Sequence, residues 1–183
     1  MNLETERPVL RQWQQGDLSV FAEINSNELA MEHFPGLFTE QESNDLASRI
    51  IEEISSSGWG LWAAELKSAR QFIGFIGLST PRPAIPFFPC VEIGWRLHPK
   101  FWGKGYATEG AEKSLAYAFD HAELKEVFAM TAVTNSRSVA VMKRLGMKDT
   151  HQNFIHPDIP SDSPIAEHFL YRITRQEWQK NGV

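Results

Sequence analysis

The sequence predicts an α/β domain in which a mostly antiparallel meander of strands leads into a β-α-β unit. One pattern predicts this class. Apolar residues follow a helical or a strand period in successive segments, whose order is strand, helices, three strands, helix, strand, helix and two strands. No internal repeat, low-complexity tract or Gly/Ser linker divides the 183 residues, so we expect a single domain over residues 1–183.

The first elements are a strand and two helices. Residues 7–13 mix Val and Leu with charged residues, which indicates a strand, and Asp17 is placed to cap a first helix. Thr39, with Glu42 three residues later, forms a capping-box pattern at the start of a second helix. That helix repeats its apolar residues every three or four positions and is expected to end near Gly58.

Three strands follow the second helix. Residues 60–65 and 71–78 have the composition of strands and are separated by a short polar turn, so a hairpin is expected. Residues 91–97 form the third strand of this group. The chain before it makes a loop that cannot join a sheet, because it contains four prolines, Pro81, Pro83, Pro86 and Pro89.

The last third of the chain alternates helices and strands. Residues 107–121 predict a helix with one narrow face of small residues, and the apolar run over 127–133 predicts a strand covered on both faces. Asn135 or Ser136 caps a short helix that stops at Gly146. The remainder is expected to hold a weak strand after Met147, a proline-containing loop over 156–164 and a final strand over 168–173.

The composition excludes several classes of protein. With 42% apolar and 22% charged residues, the chain is neither disordered nor fibrous, and its net charge of −5 argues against a surface that holds nucleic acid. The single cysteine, Cys90, is typical of a reducing compartment. No signal-peptide core or bilayer-length apolar run is present. We therefore expect a cytoplasmic protein that binds neither nucleic acid nor membranes, as a monomer or a homodimer.

One segment, over residues 91–109, carries chemical information. A strand enters a turn that contains Gly103 and Gly105, and the turn opens a helix. The first N–H groups of a helix have no partner within it, and glycines let a ligand approach them closely. Lys100 and Lys104 add positive charge beside the turn. The segment is therefore suited to hold a phosphate or a pyrophosphate.

Two well-known phosphate motifs do not fit this turn. A P-loop requires Ser or Thr directly after Gly-Lys, whereas Gly105 follows Lys104 here. A dinucleotide fingerprint would have Gly or Ala at Thr108, and too little chain follows that residue to build the required fold. The sequence thus favours neither an NTPase nor a dehydrogenase.

The stretch Lys100-Phe-Trp-Gly-Lys-Gly-Tyr-Ala-Thr108 resembles the acyl-CoA loop of the GNAT superfamily of N-acetyltransferases, whose pattern is Gln/Arg-x-x-Gly-x-Gly/Ala. Glu92-Ile-Gly-Trp95 upstream, with Asn135–Ser138 and Met142–Met147 downstream, is similar to the RimJ/RimL-type branch. The resemblance implies a central mixed, mostly antiparallel sheet with splayed middle strands and helices on both faces. One departure is Lys100, where the family prefers Gln or Arg.

The resemblance also implies an activity, in which an acetyl group passes from acetyl-CoA to an amine by direct attack, with acetyl-CoA as co-substrate and no metal. The backbone of 102–108 would hold the pyrophosphate, and strand 93–97 would pair the pantetheine amides. A gap between the strands at 91–97 and 127–133 would admit the acyl chain. The implied acyl-CoA-binding residues are Ile93, Trp95, Leu97, Lys100, Trp102, Gly103, Lys104, Gly105, Tyr106, Ala107, Thr108, Asn135 and Ser138.

Three residues are candidates for proton transfer. Glu92 lies among apolar neighbours, where burial would raise its pKa into the range of a general base, although an outward-facing strand acid is the alternative. Ser138 matches the family position from which a hydroxyl can protonate the leaving thiolate; it is otherwise an ordinary first-turn serine. Tyr171 is a second possible acid or a core aromatic residue. Asn135 can bind CoA, cap a helix, or do both.

Several alternatives stay open at this point. A longer acyl donor such as succinyl-CoA, or a non-catalytic acyl-CoA-binding module, would use the same loop. The acceptor is a small-molecule or peptide amine, with 34–36 and Trp62 as the expected acceptor wall and 156–164 as a substrate-side loop. The spacing of the histidines matches no zinc pattern, so no metal is expected at His151, His156 and His168.

Overall fold

The computed structural model describes residues 2–180, and its strands form one nine-stranded sheet. Its order is β1-β2-β3-β4-β5-β6-β9-β7, with β8 also paired to β9. The pair β5–β6 is parallel, and the other strand pairs are antiparallel. The strands are β1 (Leu3–Glu4), β2 (Pro8–Arg11), β3 (Leu61–Leu66), β4 (Gln71–Ser79), β5 (Glu92–Leu97), β6 (Glu126–Ala132), β7 (Lys148–Asp149), β8 (Phe154–Ile155) and β9 (Glu167–Thr174).

Helices cover both faces of the sheet. On β4, Phe75 packs against Phe21 of α1, with ring centroids 5.9 Å apart, whereas the next residue, Ile76, abuts Gly110 of α3. Successive strand residues point to opposite faces, so α1 and α3 lie on opposite sides. The helices are α1 (Asp17–Asn25), α2 (Glu40–Ser57), α3 (Tyr106–Asp120), α4 (Ser136–Arg144) and α5 (Arg175–Lys180).

The predicted fold class is confirmed, and the local signals account for several boundaries. In α2, the Glu42 backbone N–H donates to Thr39 Oγ1 and the Thr39 N–H donates to the Glu42 carboxylate, which completes the expected capping box. Gly58 ends the helix with a φ of +76°, a conformation that glycine adopts without a steric penalty. At α1 the cap differs from the prediction, because Asp17 is the first helical residue and Gly16 is the N-cap.

Other elements depart from the sequence analysis. The strands β1 and β8 and the helix α5 were not predicted, since two-residue strands and a six-residue helix carry too short a pattern to detect. The strand β6 is less completely covered than its apolar run suggests. Phe128 and Met130 are half-buried and pack with Ile85 and Phe87 of the four-proline loop before β5, and Met130 also faces the open gap between the strands.

The two middle strands separate almost at once. The strands β5 and β6 share one register pair, Glu92 with Phe128, next to a bond of 2.9 Å from the Phe128 N–H to the Val91 carbonyl. By contrast, β4 pairs with β5 over six positions and β6 with β9 over seven. The expected splay between the middle strands is therefore present, and β5 has one edge without a strand partner beyond Glu92.

A buried charge cluster joins the start of the sheet to the first helix. The Arg11 guanidinium donates to both carboxylate oxygens of Asp17 at 2.7 and 2.8 Å, and its Nε donates to Glu65 at 2.7 Å. Arg11 is 7% exposed and Asp17 is 3% exposed. Two acceptors thus compensate this cation inside the protein, which fixes α1 against β2 and β3.

Among residues 2–180, no helix has the length and hydropathy that a bilayer-spanning segment requires.

Asp17→Asn should lower the free energy of unfolding by about 3 kcal/mol, because it leaves the buried Arg11 with one carboxylate instead of two. Chemical denaturation would measure this. Glu4→Gln is the matched control, since the ion pair of Glu4 with Lys67 is 62% exposed on the acid side and should contribute less than about 1 kcal/mol. Equal losses in the two variants would contradict the assigned role of the buried pair.

Candidate active site

A cleft of about 1510 Å³ opens where β5 and β6 separate. It is bordered by β5, the glycine turn, the first turns of α3 and α4, and the loops before α2 and before β9. Residues from both faces of the sheet line the cleft, so the cleft passes between the two strands from one face of the sheet to the other. The predicted site residues in its lining are Glu92, Ile93, Trp95, Leu97, Trp102, Gly103, Lys104, Gly105, Tyr106, Ala107, Thr108, Asn135 and Ser138.

Three residues singled out in the sequence lie outside this lining. Tyr171 is 4% exposed and packs against Phe169 as part of the core, although His168 of the same strand lines the cleft. Lys100 sits in a short 3-10 turn, where its backbone N–H is bound by His98. Trp62 is 1% exposed and meets Tyr117 of α3 edge-on, so it is a core residue and forms no acceptor wall.

The glycine turn has the geometry of an anion cradle. Gly103 and Gly105 have φ values of +73° and +84°, which side-chain-bearing residues rarely adopt. A Cβ at Gly103 would meet no atom within 4 Å, so the approach to the backbone is open. No side chain within residues 2–180 caps the N-terminus of α3. Its first N–H groups, together with the helix dipole, remain directed at any bound phosphate.

The N-terminal segment holds this turn in place. Arg7 donates from Nη1 to the Lys104 carbonyl at 2.8 Å and forms an ion pair of 2.7 Å with Glu109. Thr5 donates a further hydrogen bond to Glu109 at 2.7 Å. Burial alone would raise the pKa of Glu109, but the hydrogen bonds from Arg7 and Thr5 outweigh it and lower the pKa. The Glu109 carboxylate is therefore ionised and bound by Arg7 and Thr5. The positive charge of Arg7 compensates its negative charge, so Glu109 does not repel an anion in the turn.

Glu92 stands at the point where the two strands separate. Burial, together with the nearby charge of Glu53, raises the pKa of Glu92 to about 7, although a hydrogen bond of 3.0 Å from the Ser79 hydroxyl opposes the increase. Ser79 is the register partner of Glu92 on β4. A carboxylate with this pKa takes up a proton readily at neutral pH and still ionises in a large fraction of molecules.

Asn135 and Ser138 lie together at the start of α4. Asn135 is the N-cap, and its Oδ1 accepts a hydrogen bond of 3.1 Å from the Ser138 N–H, so the helix-cap interpretation is confirmed. The amide nitrogen of Asn135 and the hydroxyl of Ser138 form no hydrogen bond within residues 2–180. Both groups line the cleft and are available to a ligand.

A bridge across the cleft mouth was not detected in the sequence. The Arg137 guanidinium lies 4.4 Å from the centroid of the Trp102 ring and forms an ion pair of 2.6 Å with Glu32. Beside it, Thr134 and His33 are 3.2 Å apart. These contacts tie the segment before α2 to the glycine turn and to α4. No periodic pattern predicts them, because the partners are far apart in sequence.

The predicted substrate-side loop does reach the cleft. His156 lies in its lining and faces His168 of β9, with ring centroids 4.9 Å apart. Burial, aided by the proximity of His168 and Arg82, lowers the pKa of His156 to about 4, so this imidazole is neutral at physiological pH. The described part of the chain holds no group of three or more His, Cys, Asp or Glu side chains arranged to bind a metal.

A family model described as the acetyltransferase (GNAT) domain matches residues 7–148. The FsC-acetyl coenzyme A-N(2)-transacetylase of Aspergillus fumigatus is 32% identical over 161 residues, which cover 85% of this chain and 68% of that protein. The chain therefore belongs to the GNAT acetyltransferase family, as the motifs predicted. It is an enzyme that transfers an acetyl group from acetyl-CoA to an amine.

Solved structures share the fold. An acetyltransferase of the GNAT family from Bacillus anthracis superposes with a TM-score of 0.79 at 25% identity, covering 96% of this chain and 99% of that one. The ribosomal-protein-S5-alanine acetyltransferase of Vibrio fischeri superposes with a TM-score of 0.73 at 17% identity, covering 97% and 98%. At these identities the second neighbour shows the shared fold.

Gly103→Val should weaken CoA binding at least ten-fold. A β-branched residue at this positive φ introduces about 1–3 kcal/mol of backbone strain, and its side chain covers the backbone N–H groups of the turn. Titration calorimetry would measure the affinity. Gly58→Val is the matched control: Gly58 has a similar φ of +76° with open space around it, yet it lies outside the cleft lining. That variant should bind CoA like the wild type. The cradle would be refuted if Gly103→Val kept full affinity.

Proposed function

We propose that this enzyme acetylates its amine with Glu92 as general base and with the glycine turn as the pyrophosphate site. One observation carries the proposal. A single strand, β5, begins at a half-buried carboxyl group with a pKa of about 7 and leads to an open turn at the start of α3. One end of β5 thus offers a proton acceptor, and the other end leads to a site for the pyrophosphate of the acetyl donor.

The fit of acetyl-CoA to this cleft rests on backbone groups. The turn over 102–108 presents N–H groups without Cβ obstruction at Gly103, which suits a pyrophosphate. Beyond Glu92, the edge of β5 facing β6 lacks a strand partner, which suits the amides of a pantetheine arm. The amide nitrogen of Asn135 adds a side-chain donor. Lys100 contributes nearby charge only.

The bound acetyl-CoA supplies an activated acetyl group, and the chain supplies proton transfer and positioning. An amine is largely protonated at neutral pH and must lose a proton to become a nucleophile. Glu92 accepts that proton, directly or through one water molecule. The unpaired N–H groups on the edge of β5 stabilise the negative charge that develops on the carbonyl oxygen. The Ser138 hydroxyl passes a proton to the departing sulfur while it takes up another from solvent, so that the hydroxyl is restored.

The remaining predicted residues have smaller parts in this proposal. Ile93, Trp95 and Leu97 point to the α3 face, since they alternate with Glu92 along the strand, and they shape the wall beside the arm. Tyr171 receives no role, because its side chain lies outside the cleft. The acceptor enters from the opposite face, where α1 and α2 pack and where the Glu92 carboxyl points. It is a small-molecule or peptide amine.

Glu92→Gln should reduce kcat about 10²- to 10⁴-fold, the usual contribution of a positioned general base. In the wild type, kcat/KM should rise with pH through about 7, because only ionised Glu92 accepts a proton. The variant should lose that rise and keep its CoA affinity, as measured by pH–rate profiles and calorimetry. A rise with the same midpoint in Glu92→Gln would exclude Glu92 as the base.

Ser79→Ala should move the midpoint of the wild-type profile upward by up to about one pH unit. The Ser79 hydroxyl stabilises the charged form of Glu92 and so lowers its pKa, and a hydrogen bond of this kind is worth about 1 kcal/mol. Ser79→Thr keeps the hydroxyl and should keep the midpoint. A downward shift in Ser79→Ala would mean that another group controls the profile.

A further inference from the structure

Arg96 is a buried cation in the cleft, and no acidic side chain among residues 2–180 pairs with it. It is 9% exposed, lies on β5 and contributes to the cleft lining. Its Nη1 donates to Asn25 Oδ1 at 2.6 Å, while its Nε is buried without any hydrogen bond in the described chain. Burial alone lowers the pKa of Arg96 to about 10, and no carboxylate counteracts that effect.

The rest of the molecule shows how a buried arginine is normally compensated. Arg11, with a similar exposure of 7%, has two carboxylates, Asp17 and Glu65, around its guanidinium. Arg96 is instead surrounded by the aromatic rings of Phe34, Phe75 and Phe38, whose centroids lie 4.1, 5.5 and 5.9 Å from its Cζ. An uncompensated buried charge is strongly destabilising, and the rings and one amide offset this only in part.

The donors that remain on Arg96 have a defined chemical preference. With Nη1 held by Asn25, the Nε–H and the Nη2–H groups are left, and they lie side by side on one edge of the planar guanidinium. Two parallel N–H groups match the two oxygens of a carboxylate. A neutral acceptor would fill the same edge without neutralising the charge. An anion with two oxygens is therefore the partner that would satisfy both donors and neutralise the charge.

Arg96 and Glu92 point to the same side of β5. Their partners across β4, Phe75 and Ser79, also share that face, which is the face covered by α1 and α2. Four residues along a strand place the two Cα atoms about 13 Å apart. Between them Gly94 leaves free space, since a Cβ there would touch only Leu61, at 3.8 Å. A molecule can lie along the strand and reach both residues.

We propose that the amine acceptor of this enzyme carries a carboxylate and that Arg96 binds that carboxylate while Glu92 takes the proton from the amine. The proposal rests on the assigned function, in which Glu92 marks the reacting end of the cleft. It makes Arg96 a specificity-determining residue that contacts the acceptor. Phe34 stacks over the guanidinium and lies on the segment before α2, so the acceptor site includes that segment.

A carboxylate in this cleft has two sources, the acceptor or a dicarboxylic acyl group such as succinyl. The position of Arg96 favours the acceptor. Arg96 lies at the end of β5 that leads into the glycine turn, whereas the reacting end is at Glu92, four residues earlier. An acyl group extends from the sulfur at the reacting end, away from the phosphates. It would have to fold back along the strand to meet Arg96.

The test uses matched amines with purified full-length enzyme and acetyl-CoA. The panel runs from glycine through ω-amino acids of increasing length to 6-aminohexanoate and includes simple dipeptides, each paired with its own carboxamide. We expect the wild type to prefer at least one carboxylate over its carboxamide by ten-fold or more in kcat/KM. Arg96→Met should abolish that preference, because kcat/KM for each preferred carboxylate should fall to about the value for its carboxamide.

Two controls separate recognition from folding. Arg49→Met removes another arginine of the cleft lining, one that is exposed on α2, and should keep the preference. CoA affinity and thermal unfolding of Arg96→Met show whether the variant is folded. If it does not fold, the wild-type comparison still decides, because equal rates for each carboxylate and its carboxamide overturn the proposal without any variant.

Other outcomes would also overturn it. A preference that persists in folded Arg96→Met would assign the carboxylate to another residue. An Arg96-dependent preference for succinyl-CoA over acetyl-CoA would assign it to the acyl donor. Transfer to spermidine with none to the panel would exclude a carboxylate-bearing acceptor. Failure of the general-base assignment is distinguishable, since it appears in the pH profile of Glu92→Gln and leaves the carboxylate preference intact.

Discussion

The parting of β5 and β6 after one pair of residues is the constraint on which the site depends. Two parallel strands in the middle of a sheet normally form hydrogen bonds along their whole length. Losing these hydrogen bonds is unfavourable unless a ligand replaces them. The two strands can diverge because each is fully paired on its outer side, β5 with β4 and β6 with β9. The gap is thus held open by the sheet itself.

Local sequence signals accounted for the parts of the site that depend on backbone conformation. The glycine turn, the cap at Asn135 and the capping box of α2 are encoded within a few residues, and each was predicted. The splay was expected from the family resemblance alone. Tyr171 and Trp62 could not be placed, because whether an aromatic side chain faces the core or the gap depends on strand pairing between distant segments.

Charge placement was the least predictable feature. Arg96 follows Glu92 by four residues, so the alternation of a strand places both side chains on the same face, and the sequence shows this much. Alternation does not reveal that no acidic side chain among residues 2–180 pairs with Arg96. The bridge joins Arg137 to Trp102, 35 positions earlier, and to Glu32, 105 positions earlier, which no local pattern encodes. The net charge of −5 likewise gives no indication that two arginines are buried, Arg11 with acidic partners and Arg96 with none among residues 2–180.

The hold of Arg7 on the glycine turn has a consequence for how the enzyme assembles. Arg7 and Glu109 are 102 positions apart, so the turn acquires its fixed shape only after the two ends of this long loop have met. Such non-local closure is slow relative to helix formation. A nascent chain would therefore be unable to retain coenzyme until its N-terminal segment has docked against the start of α3.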